Sequence, residues 1–248
     1  MPKGGGWQTA CAFCGDPQSD VLRFDQSRDH RSPVLSPVST PSAAPKSKKQ
    51  VAADARRAAL LHHTRQLMLE HGPHHVSLAE VLRLAGGSKA TVVKYFGDRE
   101  GLIAAAVRET AQEAMDDLGP APEAASLQDR LAHMLAGILR FYLKPDSLAV
   151  YRGIIATGGK DGGVGEAFLK SGHRQVVERI AQSLEQWKGC GIRPDLPVME
   201  AAEQLSHAVR SGHYEAVLLA GPSMAPDEEA IDRKARAVAH LFLHGAAI

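Results

Sequence analysis

The sequence predicts an all-α fold with a small N-terminal three-helix domain and a larger C-terminal helical bundle. Apolar residues recur at three- and four-residue spacing over most of the chain, which is the period of an amphipathic helix. Glycine and proline interrupt these stripes, and no convincing alternation of apolar and polar residues predicts a strand. A length of 248 residues is sufficient for both domains to bury a core.

Residues 1–50 are expected to form a disordered basic arm. The segment from Arg31 to Lys49 is rich in proline and serine, so it has too little apolar surface to offset the entropy of ordering. Cys11 and Cys14 lie in this arm without a second ligand pair at zinc spacing. We therefore predict no structural metal there and leave the role of the two cysteines open.

Three helices and two tight turns follow the arm. The first helix is predicted from Asp54 to Gly72. Ser77 and Glu80 have the spacing of a capping box, which starts a second helix that ends at Gly86-Gly87. Ser88 is the expected cap of the third helix, which turns Val92 and Phe96 inward. Its outward residues are Lys89, Thr91, Lys94 and Tyr95. Asp98 is then the expected cap of a longer helix from about Arg99 to Leu118.

The stretch AGGSKATVVKYFGDREGL, from Ala85 to Leu102, resembles the TetR family of bacterial transcriptional regulators. The resemblance is specific from about Arg56 to Leu118 and only architectural beyond that point. It implies a helix-turn-helix DNA-binding domain over residues 51–98 and a helical effector-binding and dimerisation domain over residues 99–248. Such a motif presents its second short helix to the major groove of DNA.

Recognition of the DNA base sequence is expected to depend on the helix between Lys89 and Phe96. Lys89 is the candidate donor to guanine acceptors, and Thr91 is expected to contact phosphate or a thymine methyl group. Lys94 is expected to reach either a base or a phosphate. Val93 stands where family members usually have a tyrosine that contacts phosphate, so one contact is expected to be missing.

Four further residues complete the expected DNA contacts. The resemblance implies that Tyr95 bonds the DNA backbone and that Arg99 clamps a phosphate, helped by the positive end of its helix. Ser77 and Ser88 are expected to be helix caps first and phosphate donors second.

Two interpretations of the N-terminal arm remain open: an unstructured leader, or an additional basic contact with DNA.

The remaining helices are expected to enclose an effector pocket and to form a dimer. The pocket should be mostly apolar, and its candidate polar residues are Tyr142, Tyr151, Arg152 and His173. Each of these could instead be a structural residue. The last two helices, about Pro197 to Ala220 and Asp227 to His244, carry small residues at helical spacing. These could pack within one subunit, but the resemblance favours a four-helix dimer interface.

Charge and composition restrict the function. The net charge is only +1, yet basic residues crowd the N-terminal third and acidic residues lie further along the chain. No apolar run of about 20 residues or signal-peptide pattern is present, so a cytoplasmic protein without membrane contact is expected. We find no catalytic arrangement and no cofactor motif, so the sequence does not predict an enzyme.

The sequence therefore predicts a ligand-responsive repressor that binds a palindromic DNA operator as a homodimer. Two alternatives stay open: a transcriptional activator or co-regulator, and a helical small-molecule binding protein that does not bind an operator. The effector, the operator sequence and the regulated genes cannot be predicted from these residues.

Overall fold

The structure is a computed structural model that describes residues 47–119, 125–156 and 162–246. These residues form α-helices joined by short turns and one isolated bridge between Lys188 and Ile192, without a strand, which confirms the all-α prediction. No helix in these ranges is sufficiently long and apolar to cross a membrane. The helices are α1 (Lys48–His71), α2 (Leu78–Ala85), α3 (Lys89–Phe96), α4 (Arg99–Asp116), α5 (Leu127–Leu143), α6 (Pro145–Ala156), α7 (Gly162–Phe168), α8 (Arg174–Trp187), α9 (Val198–Arg210), α10 (His213–Ala220) and α11 (Glu228–Ala246).

Helix α1 begins earlier than the sequence pattern predicts. Oγ of Ser47 accepts a hydrogen bond from the backbone N–H of Gln50 and thereby caps the helix at Lys48. The expected helix start at Asp54 is therefore too late, and the end of the arm at residue 50 stays a prediction. Residues 1–46 of the expected arm, with both of its cysteines, lie outside the described residues.

Local capping explains the two turns of the helix-turn-helix segment. Ser88 Oγ accepts a hydrogen bond from the N–H of Thr91, and Asp98 Oδ1 accepts one from the N–H of Gly101. Ser77 caps α2 in the same way, but only one of the two hydrogen bonds of the predicted capping box forms. The Glu80 carboxylate pairs with Arg83 at 2.6 Å and does not return to the backbone of Ser77.

Helices α1–α3 and the first half of α4 share one hydrophobic core, and we call this unit the head. Its fully buried side chains include Leu60 and Leu61 of α1, Val81 of α2, Val92 of α3 and Leu102 of α4. Helix α4 therefore contributes to the head before it joins the rest of the chain, and the domain boundary after residue 98 stays a prediction.

Helices α5–α11 and the second half of α4 form the body, which has its own core, although Val164 of α7 is fully buried in the core of the head. Helix α5 packs along α11, and Arg140 on α5 fixes this pair because it donates hydrogen bonds to Glu228 and Asp232 at 2.7 and 2.8 Å. Helix α8 packs against α9. Helix α4 therefore connects the head to the other helices of the body.

Local residues define three helix boundaries of the body. Pro145 begins α6, where proline is favourable because the first helical N–H needs no acceptor. A π-helical turn, Leu169–His173, lies between α7 and α8. The helix expected from Pro197 to Ala220 is divided into α9 and α10 at Gly212, whose φ of +88° favours glycine.

Candidate nucleic-acid interface and effector cavity

Helix α3 turns one face into the head core and the opposite face to solvent. Val92 is fully buried and Phe96 is half-buried against the same core. The remaining positions are accessible: Lys89, Ala90, Val93 and Lys94 are exposed, and Thr91 and Tyr95 are half-buried. An eight-residue helix with this division can enter a major groove without disturbing the core that supports it.

A groove of about 360 Å³ separates α3 from the N-terminal half of α1. Arg56 of α1 borders this groove together with Thr91, Lys94 and Tyr95 of α3. Sequence reasoning counted Arg56 only as part of the basic surface and missed its place beside the recognition helix. Ala52 and Ala53, from the N-terminal extension of α1, border the same groove.

The serine and aromatic candidates lie at the same surface. Oγ of Ser88 lies 3.2 Å from Oγ1 of Thr91, so both hydroxyls are partly engaged at the start of α3. The Lys94 ammonium lies 5.7 Å from the centre of the Tyr95 ring, a cation–π distance. Lys94 and Tyr95 can therefore approach a DNA strand as one cationic and aromatic pair, while Ser77 marks the start of α2.

The Arg99 guanidinium is bonded within the head, and the expected role of Arg99 as a phosphate clamp stays a prediction. Its Nε donates to the carbonyl of Val76 at 2.6 Å, and its Nη2 donates to the carbonyls of His74 and Pro73. Its Nη1 donates to Glu100 at 2.9 Å. Arg99 therefore holds the turn between α1 and α2 against the start of α4, and only 23% of its side chain is exposed.

A cavity of about 80 Å³ lies between the head and the body. Helix α1 contributes Arg65, Met68 and Leu69 to its wall, and α4 contributes Ala106, Val107, Thr110 and Ala111. The body closes it with five aromatic side chains: Phe141, Tyr142, Tyr151, Phe168 and Tyr214. An effector bound there would contact the DNA-binding unit directly through α1.

Three of the four predicted effector residues line this cavity: Tyr142, Tyr151 and His173. Arg152 is not among the residues that line it, and the expected effector contact of Arg152 stays a prediction. Its Nε and Nη2 donate to the carbonyls of Leu218 and Val217, at the C-terminal end of α10, where a cation is favourable. Arg152 therefore fastens α10 to α6.

Sequence reasoning missed the polar residues that other helices bring to the cavity. These are Arg65, Thr110, Asp146, Ser147 and Tyr214. Arg65 donates to Glu113 at 3.0 Å and lies 3.6 Å from Glu109, so it ties α1 to α4 beside the cavity. No local pattern predicts these residues, because they come from helices far apart in the sequence.

A buried arginine contacts two of the tyrosines that line the cavity. The Arg210 guanidinium is buried, lies 4.6 Å from the centre of the Tyr142 ring and 5.6 Å from that of Tyr214, and donates to the carbonyl of Ser206. The Tyr142 hydroxyl lies 3.3 Å from Nδ1 of His173. Burial, followed by the charges of Arg210 and His207, lowers the pKa of His173, and burial raises the pKa of both tyrosines.

The fold and the recognition helix define a helix-turn-helix transcriptional regulator, and family models identify its class. The model for bacterial regulatory proteins of the tetR family matches residues 60–106. The model for the C-terminal domain of AefR-like transcriptional repressors matches residues 129–245. The chain therefore belongs to the TetR family of DNA-binding transcriptional regulators.

Individual relatives agree with this classification. The Flavonoid-responsive Regulator FrrA is 26% identical, with a TM-score of 0.62 over 78% of this chain and 98% of that chain. A TetR transcriptional regulator from Agrobacterium tumefaciens is 27% identical, with a TM-score of 0.60 over 77% and 94% of the two chains. The HTH-type transcriptional regulator PtxS of Pseudomonas putida is 34% identical over 86 residues, or 34% of this chain. That match spans only 25% of the length of PtxS.

Proposed function

We propose that this protein is an effector-responsive repressor that binds a near-palindromic operator as a homodimer. The observation that carries the proposal is the exposed basic face of α3, which belongs to a head that shares a cavity with the body. The similarity of residues 129–245 to AefR-like repressors favours repression over activation. A cytoplasmic location follows from the proposed contact with chromosomal DNA.

We assign the DNA contacts to the exposed side of the head. Lys89 and Lys94 supply positive charge, Thr91 and Tyr95 supply hydroxyl groups, and Arg56 extends the surface along α1. Ser77 and Ser88 stand at helix starts, where backbone N–H groups favour a phosphate. Residues 51–98 with the first half of α4 form the proposed DNA-binding domain, and the body forms the effector and dimerisation domain.

The dimer interface is proposed at α10 and α11, but for a different reason from the one that the sequence suggested. The small and apolar residues used for that prediction are largely buried within one subunit: Ala201, Leu205, Val209, Ile231, Ala235, Val238 and Ala239. Leu219 of α10 and Leu241 of α11 are instead 86% and 75% exposed. A second copy of the chain would shield these two leucine side chains from water, where large apolar side chains are unfavourable.

The effector class follows from the lining of the cavity. Tyr151 meets Tyr214 and Phe168 edge-to-face at 5.5 and 5.7 Å, so the empty cavity is small because these rings fill it. A planar aromatic molecule could take the place of one ring contact. Nε of Arg65 is buried and has no hydrogen-bond partner in the described structure, so an effector oxygen could satisfy it. The flavonoid response in the name of a 26% identical relative supports an aromatic effector.

Two contacts are proposed to transmit effector binding to the DNA-binding surface. The first is the Arg65 ion pair, which connects the cavity wall to α4. The second is the contact between α6 and Pro73, in the turn before α2. Helix α6 also lines the cavity through Val150 and Tyr151. An effector that binds better when these helices are displaced would lower the population that fits the operator.

The experiment has two stages. Purified protein selects fragments of genomic DNA, and the bound fragments are sequenced and then titrated at several salt concentrations. A reporter behind the selected promoter, with and without the protein, gives the sign of regulation. Repression that hydroxylated aromatic compounds relieve supports the proposal. Activation, or tight binding of these compounds without any operator, would replace it with one of the two alternatives.

A further inference from the structure

Val93 is an exposed aliphatic side chain in the middle of α3, whose exposed positions also include Lys89, Lys94 and the smaller Ala90. It is 55% exposed, while its neighbour Val92 is completely buried and supplies the core contact of this turn. Lys89 lies one turn before Val93, and Lys94 follows it directly, and both are exposed. Val93 therefore has no packing role in the head that would explain an apolar residue at this position.

The major groove offers one apolar group to such a side chain. Each thymine presents a C5-methyl group there, whereas the other recognition groups are hydrogen-bond donors and acceptors. A valine in a helix has one strongly preferred χ1 rotamer, so its methyl groups are already fixed before binding and lose little entropy. Val93 cannot donate to a phosphate, so contact with a methyl group is the favourable interaction open to it.

We propose that Val93 determines specificity by packing against the methyl group of one thymine in each operator half-site. This inference rests on the proposed function, because it requires that α3 enters the major groove. Lys89 and Lys94 would then supply polar contacts on both sides of a short apolar contact. A thymine is thus expected at one fixed position of each half-site, with selectivity that comes from its methyl group.

The test changes only that methyl group. Each thymine of the selected operator is replaced in turn by deoxyuridine, which keeps every hydrogen-bonding group. We expect one symmetric pair of positions at which the replacement weakens wild-type binding by about fourfold per half-site, the value of one buried methyl group. Val93→Ala should show a similar loss on the normal operator and should no longer distinguish thymine from deoxyuridine.

Lys94→Ala is the matched control on the same helix. It should bind more weakly but should keep the full preference for thymine over deoxyuridine. If wild type binds its operator and no replacement changes the affinity, or if Val93→Ala keeps the preference, the inference about Val93 is overturned and operator binding stands. If wild type prefers no duplex at all, the proposed function fails together with this inference. Circular dichroism of each variant confirms the folded state.

Discussion

Gly153 of α6 lies directly against Pro73, in the turn that leads into the helix-turn-helix segment. A Cβ atom at position 153 would lie 2.7 Å from Cδ of Pro73, a distance that side chains do not tolerate. The carbonyl of Pro73 is also an acceptor for Arg99. The body thus contacts the head at the turn whose position Arg99 fixes, and glycine is required for this close approach.

Gly153→Ala should destabilise the protein by about 1–3 kcal/mol, since the added methyl group forces α6 away from the ring of Pro73. Urea unfolding followed by circular dichroism measures this change. Gly165→Ala is the matched control, because a Cβ at this α7 position meets nothing within 4 Å. It should be neutral or stabilising by up to about 1 kcal/mol. Equal stability of the two variants would contradict the close contact.

Arg99→Gln and Lys94→Gln should separate a structural role from a DNA contact. Loss of the guanidinium leaves the carbonyls of the Pro73 turn without their donor, which should cost about 2–3 kcal/mol of unfolding free energy. The slope of log affinity against log salt should stay unchanged at temperatures where Arg99→Gln is folded. Lys94→Gln should instead keep its stability and reduce this slope by about 0.9 per subunit. A reduced salt slope for Arg99→Gln would instead support a contact between Arg99 and a DNA phosphate.

The pKa of His173 predicts a pH dependence of stability. Burial and the Arg210 charge lower this pKa in the folded state, so below a pH of about 6.5 the unfolded chain binds the proton first. The stabilisation is therefore complete above that pH and is lost as the pH falls toward the folded pKa. His173→Gln should show a shallower fall of unfolding free energy between pH 6.5 and 5. The exposed His62→Gln should follow wild type, and a parallel curve for His173→Gln would contradict the assignment.

Leu241→Glu should convert the proposed dimer to a monomer, because a carboxylate would be buried in the interface. Sedimentation velocity measures the state, and operator affinity should fall with it. Leu169→Glu places the same charge at a 61% exposed leucine that lies outside α10 and α11, so it should remain dimeric. A wild-type monomer at working concentrations would refute the dimer itself.

The helix-turn-helix segment could be predicted from sequence because its determinants are local. Ser88 and Asp98 cap helices whose N–H groups lie three residues away, and Val92 and Phe96 recur at helical spacing on the buried face of α3. The chain therefore carries the complete signal within a short window, and the resemblance to a known family covers the same window.

The roles of arginine residues could not be predicted in this way. Arg99 bonds carbonyls that lie 23–26 residues earlier, and Arg152 bonds carbonyls that lie 65 and 66 residues later. A carbonyl acceptor is present at every residue, so no pattern marks the one that a guanidinium will select. The cavity was equally hidden, because Arg65 and Tyr214 meet only through tertiary packing.

The proposed function depends on recognition of a specific DNA sequence by the outer face of α3. The most direct measurement is a competition titration in which wild type and Lys89→Ala bind the selected operator against a scrambled duplex of equal composition. We expect a strong wild-type preference for the operator and a preference reduced by about five- to a hundredfold per half-site in Lys89→Ala, since each subunit loses one base contact. Equal affinity of wild type for both duplexes would contradict it.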